Sequence, residues 1–171
     1  DVSVSSELEL DADNKVMGIR QVWDYDSEVT KVMLEDVEEI SDAVLDDIGG
    51  DMMADLLKLG YFLEVRVDGE IIQHNEVEDY DTLLPSEDNL QLTMFHPFEN
   101  PVDIKGKKMV IDMADPDGTG ILQHADIGDI SLPDPLKACK VSLEKKQDTK
   151  NEDAYQHGEP VQLVTIDCTQ L

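Results

Sequence analysis

Lysine and arginine are scarce in this chain: 13 of them stand against 40 aspartates and glutamates in 171 residues, a formal net charge of −27. Binding a phosphate backbone or an anionic lipid surface needs basic side chains that displace condensed counterions. Nucleic acid and membrane surfaces are therefore excluded as natural partners. The shortage is uneven, since residues 1–100 hold 27 acids and 5 bases, whereas residues 101–171 hold 13 and 8. Such a surface attracts cations, metal ions or a basic patch on another protein, by steering that salt weakens. It also keeps a protein soluble in a saline medium, and most of these carboxylates read as a solvated face of that kind.

Long apolar runs are lacking as well. No stretch reaches the roughly 18–20 residues that a membrane-spanning helix requires. Catalytic signatures are missing too: the chain has no GxSxG, no glycine-rich phosphate loop, no HExxH and no cysteine–histidine pairing in a recognisable context. Paired carboxylates abound, but among 40 acids a dyad carries no information, so no enzymatic activity is expected. Only two cysteines occur, Cys139 and Cys168. Their spacing fits neither a zinc nor a CxxC redox site, which leaves a disulfide, if the protein is exported, or two buried thiols.

What is present suffices for one core. Hydrophobic residues make up 40% of the chain, enough for a single domain over residues 1–171. The chain starts at Asp1 without Met, inside an alternating pattern, so the expectation is that a secretory signal upstream has been removed. Val2, Val4, Leu8 and Leu10 alternate with polar residues, Asp11–Asn14 supplies turn chemistry, and Val16, Ile19, Val22, Trp23 and Tyr25 resume the pattern, which predicts a β-hairpin. The period then changes. Met33, Val37, Ile40, Val44 and Ile48 follow helical spacing with acids between them, Gly49-Gly50 interrupts, and Met52–Leu59 forms a second short helix ended by Gly60. After Gly60 the chain reads as strand at 61–67, a hairpin turn at Asp68-Gly69, and strand at 70–72. Further strands are expected from Leu90 to near His96-Pro97, over Met109–Met113, at 138–144 and at 161–168, with a mobile loop at 145–160. The predicted class is α+β, mostly antiparallel β and sandwich-like, with one helical segment over about residues 29–59 inserted after the first hairpin.

Two sets of residues point to metal chemistry. Asp115–Asp126 matches the twelve-position calcium loop, with oxygen ligands from Asp115, Asp117 and Thr119, a glycine at position six, the carbonyl of Ile121 and the carboxylate of Asp126. Calcium takes such hard oxygens, and the glycine allows the chain to turn around the ion. An ordinary Asp/Gly turn is the competing reading. Four histidines are dispersed without an i,i+4 pair, yet His96 and His124 are candidates to meet in space, where imidazole and carboxylate together suit nickel, cobalt or zinc.

Several segments taken in order resemble one family. Arg20-Gln21-Val22-Trp23-Asp24-Tyr25-Asp26, an acidic helical stretch, Gly60-Tyr61-Phe62-Leu63-Glu64-Val65-Arg66-Val67-Asp68-Gly69, Leu90–Phe95, Asn100–Lys107 and Asp115-Pro116 together resemble the DUF1007 family. The resemblance implies an exported, periplasmic component associated with ABC-type transport, often accompanying nickel, cobalt or zinc transport. Implied with it are a non-catalytic accessory role, a membrane transporter component as partner, and a Cys139–Cys168 bridge. The alternatives are an acidic interaction module that docks a basic protein patch through Glu35–Asp47 without metal, and a calcium-binding module through residues 115–126.

Overall fold

The computed structural model of the chain describes residues 1–113, 122–146 and 161–171. The first hairpin forms as the alternation predicts: β1 (Val2–Leu10) pairs antiparallel with β2 (Val16–Tyr25) from Val2↔Tyr25 to Leu10↔Val16. Asp11 builds the turn, because its carboxylate accepts from the backbone N–H of both Asp13 and Lys15 at 2.9 Å. That is the local bonding that makes aspartate a turn residue.

The helical segment departs from expectation. It is two helices, α1 (Ser27–Met33) and α2 (Asp42–Lys58), and the break falls at 34–41 rather than at Gly49-Gly50. Asp26 caps α1 and Ser41 caps α2, each accepting from the N–H three residues on. Between them Glu35, Asp36, Glu38 and Glu39 would repel one another at helical spacing. α2 runs through both glycines, although each costs about 1 kcal/mol in a helix interior. The reason is contact: a Cβ on Gly49 would lie 1.9 Å from Thr82 Oγ1, so only glycine lets the helix settle on that strand.

The rest of the chain is strand and turn. β3 (Leu63–Val67) and β4 (Glu70–Ile72) form the expected hairpin, with Asp68 and Gly69 both at positive φ. β5 (Tyr80–Ser86), which periodicity leaves unassigned, pairs with β6 (Asn89–Val102). β6 does not stop at His96-Pro97. It continues to Val102, with Pro97 opposite Gly18 beside an irregularity in the β2–β6 register, the kind of place where a strand tolerates proline. β7 (Lys108–Met113) comes next, followed by the two-residue strands β8 (Leu122–Gln123) and β9 (Ile130–Ser131), each parallel to β1. β10 (Lys140–Lys146) and β11 (Val161–Asp167) close the chain. Lys145 and Lys146 thus belong to a strand, and the rest of the expected loop, 147–160, lies outside the described residues.

Two sheets result, ordered β5-β6-β2-β1-β8, with β9 also beside β1, and β10-β11-β7-β3-β4. The fold is α+β and mostly β. Buried side chains of both sheets, among them Leu8, Ile19, Trp23, Leu92 and Met94 of the first and Val65, Met109, Ile111 and Ile166 of the second, join one hydrophobic cluster with Leu45, Met53 and Leu56 of α2.

Cys139 and Cys168 form a disulfide directly beyond the Lys140↔Asp167 pair that ends the β10–β11 ladder. Cys168 also bonds through its backbone to Gly106 and Lys107, which ties the bridge to the turn before β7. The loop so closed is 29 residues, and chain entropy alone predicts a contribution of about 3–4 kcal/mol. Reduction, or the double substitution Cys139→Ala and Cys168→Ala, is expected to lower the urea midpoint by the equivalent of about 2–4 kcal/mol. An unchanged midpoint contradicts this.

Candidate functional site

Three polar residues interrupt the inward face of the first sheet. Ser6 on β1, Gln21 on β2 and His96 on β6 are buried, at 3%, 0% and 0% exposure, at positions where strand alternation otherwise places Val4, Leu8, Ile19, Trp23, Leu92 and Met94. A polar group left unsatisfied in such a core costs about 1–3 kcal/mol, so the partners of these three decide whether the arrangement is tolerable. Gln21 uses its whole amide. Its Oε1 accepts from Trp23 Nε1 at 3.0 Å and from His96 Nε2 at 2.9 Å, and its Nε2 donates to Ser6 Oγ at 3.1 Å and to Met113 Sδ, on the other sheet, at 3.2 Å.

These contacts dictate proton positions. An indole nitrogen only donates, so the amide atom facing Trp23 is the oxygen, and His96 must then offer Nε2–H to that same oxygen. Burial drives the His96 pKa down to about 3, with the neighbouring His74 acting in the same direction, so the ring is neutral and its lone pair lies on Nδ1. That Nδ1 is buried and has no hydrogen-bond partner. At the other end of the chain, Gln162 grips the backbone of His124, accepting from its N–H at 2.9 Å and donating to its C=O at 2.8 Å. The amide oxygen so placed accepts a hydrogen bond from His124 Nδ1–H at 3.2 Å, which leaves Nε2 to accept from Ser6 Oγ at 2.8 Å. Burial also lowers the His124 pKa, against the opposing effects of its hydrogen bond to Gln162 and the charge of Asp129. Donation thus runs one way, from His96 through Gln21, Ser6 and His124 to Gln162.

A second imidazole adjoins His96. Residues 73–75 run antiparallel alongside β6, with Glu99 N bonded to Gln73 O, Asn75 N to Pro97 O, and a bridge between His74 and Phe98. This brings the half-buried His74 ring to 6.2 Å from the His96 ring, centroid to centroid. His74 Nε2 lies 2.9 Å from Leu63 O. A carbonyl only accepts, so this nitrogen too carries the hydrogen, and His74 Nδ1 is buried without a partner like its neighbour. Tyr61 packs on both rings at 6.1 and 5.4 Å, with its hydroxyl accepting from Val77 N at 2.9 Å. Its backbone is unusual: Gly60, Tyr61 and Phe62 all have φ near +55 to +60°. For the two aromatic residues the left-handed conformation costs about 1–2 kcal/mol each. Strain of this size persists where the surroundings impose it, and such places cluster at functional sites.

The residues expected from sequence fare unequally. His96 and His124 do not converge on one point; Gln21 and Ser6 stand between them and bond to each. Asp115, Asp117, Thr119 and Ile121 lie outside the described residues. Asp126 caps the short turn Ile127–Asp129, its Oδ1 accepting from Gly128 N at 2.6 Å. Among the described residues no three His, Cys, Asp or Glu side chains gather as a metal cluster. Sequence reasoning missed His74, Gln21, Ser6 and Tyr61. For His96 a signal existed: Leu90, Leu92, Met94 and His96 share one parity along β6, which places the histidine inward.

Residues 2–159 match the family model described as "Protein of unknown function (DUF1007)". No curated protein and no solved structure matches the chain.

The neutral histidines set a pH dependence. Unfolded, His96 takes up a proton below pH about 6.5; folded, it does not until about 3. The unfolded chain therefore binds more protons in this window. Stability should be complete above pH about 6.5 and fall as the pH drops toward 3, by up to about 1.4 kcal/mol per pH unit for this group, with His124 adding in the same sense. Urea denaturation across this range in chelator-containing buffer checks it, and His96→Gln should flatten the slope by about one proton.

Proposed function

The chain belongs to the DUF1007 family, whose description names no activity; from what the resemblance implies, together with the chain's own chemistry, we propose that it is a periplasmic, non-catalytic accessory of a transport system that handles a divalent metal ion of the nickel, cobalt and zinc group. The observation that carries this reading is the state of His96. Histidines that ligate metals characteristically give their other ring N–H to a carbonyl or carboxylate, which fixes the tautomer and aims the lone pair. His96 gives Nε2–H to the Gln21 amide oxygen and keeps a buried, unpartnered Nδ1. It also avoids protonation down to about pH 3, so at neutral pH no proton competes for that nitrogen.

Two further features support the role. A net charge of −27 raises the local concentration of cations around the protein. The Cys139–Cys168 bridge suits an oxidising compartment such as the periplasm, where a membrane transporter component is the natural partner. No helix among the described residues is long and apolar enough to cross a membrane, so attachment to a transporter would be by docking of that partner.

A second reading has its own observation. Val32 is 70% exposed, and Ile40, Leu57 and Leu59 are also exposed on the acidic helical layer, which favours a docking face for a basic protein patch. The two readings separate experimentally. Calorimetric titration of the chain with nickel, cobalt, zinc and calcium should give binding of about one nickel, cobalt or zinc ion per chain and a raised melting temperature. Failure of all three to bind, together with a salt-sensitive association that needs no metal, would favour the interaction module. Heat from calcium alone would favour the loop at residues 115–126.

A further inference from the structure

We propose that the Nδ1 atoms of His74 and His96 are two ligands of a single divalent transition-metal ion, seated beside Tyr61. The inference deepens the metal-handling role above and rests on it, but it names a site that the sequence pattern does not. Each ring has spent its N–H on a carbonyl oxygen, His74 on Leu63 O and His96 on the amide of Gln21. Each is left with a buried nitrogen that touches no donor. One such atom is an oddity in a core; two on neighbouring rings are an unfilled demand. The same arrangement of tautomers is what a metal-binding pair requires.

The spacing agrees. An ion bound about 2.1 Å from a ring nitrogen lies ~3.2 Å from the ring centroid, so two imidazoles on one ion have centroids at most ~6.5 Å apart. The observed separation is 6.2 Å. A tetrahedral angle would bring the centroids to ~5.2 Å, a shift of about 1 Å. His74 can supply that shift, because it is only half-buried and its strand contact is an isolated bridge to Phe98. His96 cannot move, being held by Gln21 inside the first sheet. One ligand is therefore fixed and the other adjustable. The donor set selects the metal: neutral imidazole nitrogens favour zinc, nickel, cobalt and copper, and give calcium or magnesium no hard oxygen to hold.

The test uses zinc and cobalt(II) with the whole chain. His74→Ala and His96→Gln should each weaken binding at least about tenfold, by analogy with the 10–100-fold cost of disturbing groups that merely orient a ligand. Asp13→Asn, in the exposed turn of the first hairpin, should leave the affinity within about threefold. Nitrogen-15 resonances of the wild-type histidines provide a readout that folding defects cannot imitate: zinc should shift Nδ1 of His74 and His96 while both Nε2–H signals persist. If the wild type binds zinc and both variants bind it equally well, or the resonances of His74 and His96 stay unmoved, this site is wrong while metal handling elsewhere stands. If the wild type binds none of these ions, both ideas fall. Should His96→Gln not fold, His74→Ala and the wild-type spectra decide the matter.

Discussion

Gln21 carries the polar centre of this protein. One carboxamide, fully buried, meets four partners: Trp23 and His96 at the oxygen, Ser6 and Met113 at the nitrogen. Three of these lie in the first sheet and Met113 in the second, so the amide also fixes how the two layers meet at that point. Because an amide presents its donors and acceptors on opposite ends, the orientation imposed by the Trp23 indole propagates outward. It determines which nitrogen of His96 holds a proton, while Gln162 sets the tautomer of His124 at the far end. A buried polar network of this kind is worthwhile only when every member is satisfied. The chain from His96 to Gln162 meets that condition everywhere except at His96 Nδ1, which is why the exception carries meaning.

The left-handed turn at Gly60–Phe62 is the second constraint. α2 ends at Lys58 and β3 begins at Leu63, so the chain must reverse within four residues. Glycine takes positive φ freely, but Tyr61 and Phe62 do not. The cost is offset by burying the Tyr61 ring to 2% exposure against His74 and His96 and by the bond from Val77 N to its hydroxyl. The segment that brings His74 to β6 and the helix that packs on β5 are thus both anchored at one tyrosine.

Much of this fold could be read in the sequence, and the rest was hidden for identifiable reasons. Hairpins announced themselves because Asp11–Asn14 and Asp68-Gly69 encode their turns locally. The disulfide was one of two open options, decided by the antiparallel pairing of β10 with β11. Gly49-Gly50 misled because a helix-breaking propensity was overridden by a contact with Thr82, 33 positions on, which periodicity cannot see. His96-Pro97 misled in the same way, since proline usually ends a strand, but here an irregular register beside Gly18 accommodates it. As for the site, a histidine at an inward strand position was legible. That its neighbour would be His74 was not, because the two are joined only by a short antiparallel pairing of residues 73–75 with β6, with no pattern of its own.

In the metal-handling role proposed above, acidity and histidine chemistry would divide the work between them. Carboxylates on the outer faces and on α2 are exposed, hard and numerous; in that role they would draw divalent ions toward the protein without distinguishing one from another. Discrimination needs ligands that are softer, fewer and already oriented, since orienting them at the moment of binding would subtract from affinity. The core supplies that orientation during folding. Gln21 holds His96 in its tautomer whether or not an ion is present, and Leu63 O does the same for His74. The burial that makes His96 hard to protonate also shields its Nδ1 from bulk solvent. On the proposed reading, the strongly negative surface and the two neutral imidazoles would serve one purpose by opposite means: the first would gather cations indiscriminately, and the second would reward only those that prefer imidazole to water.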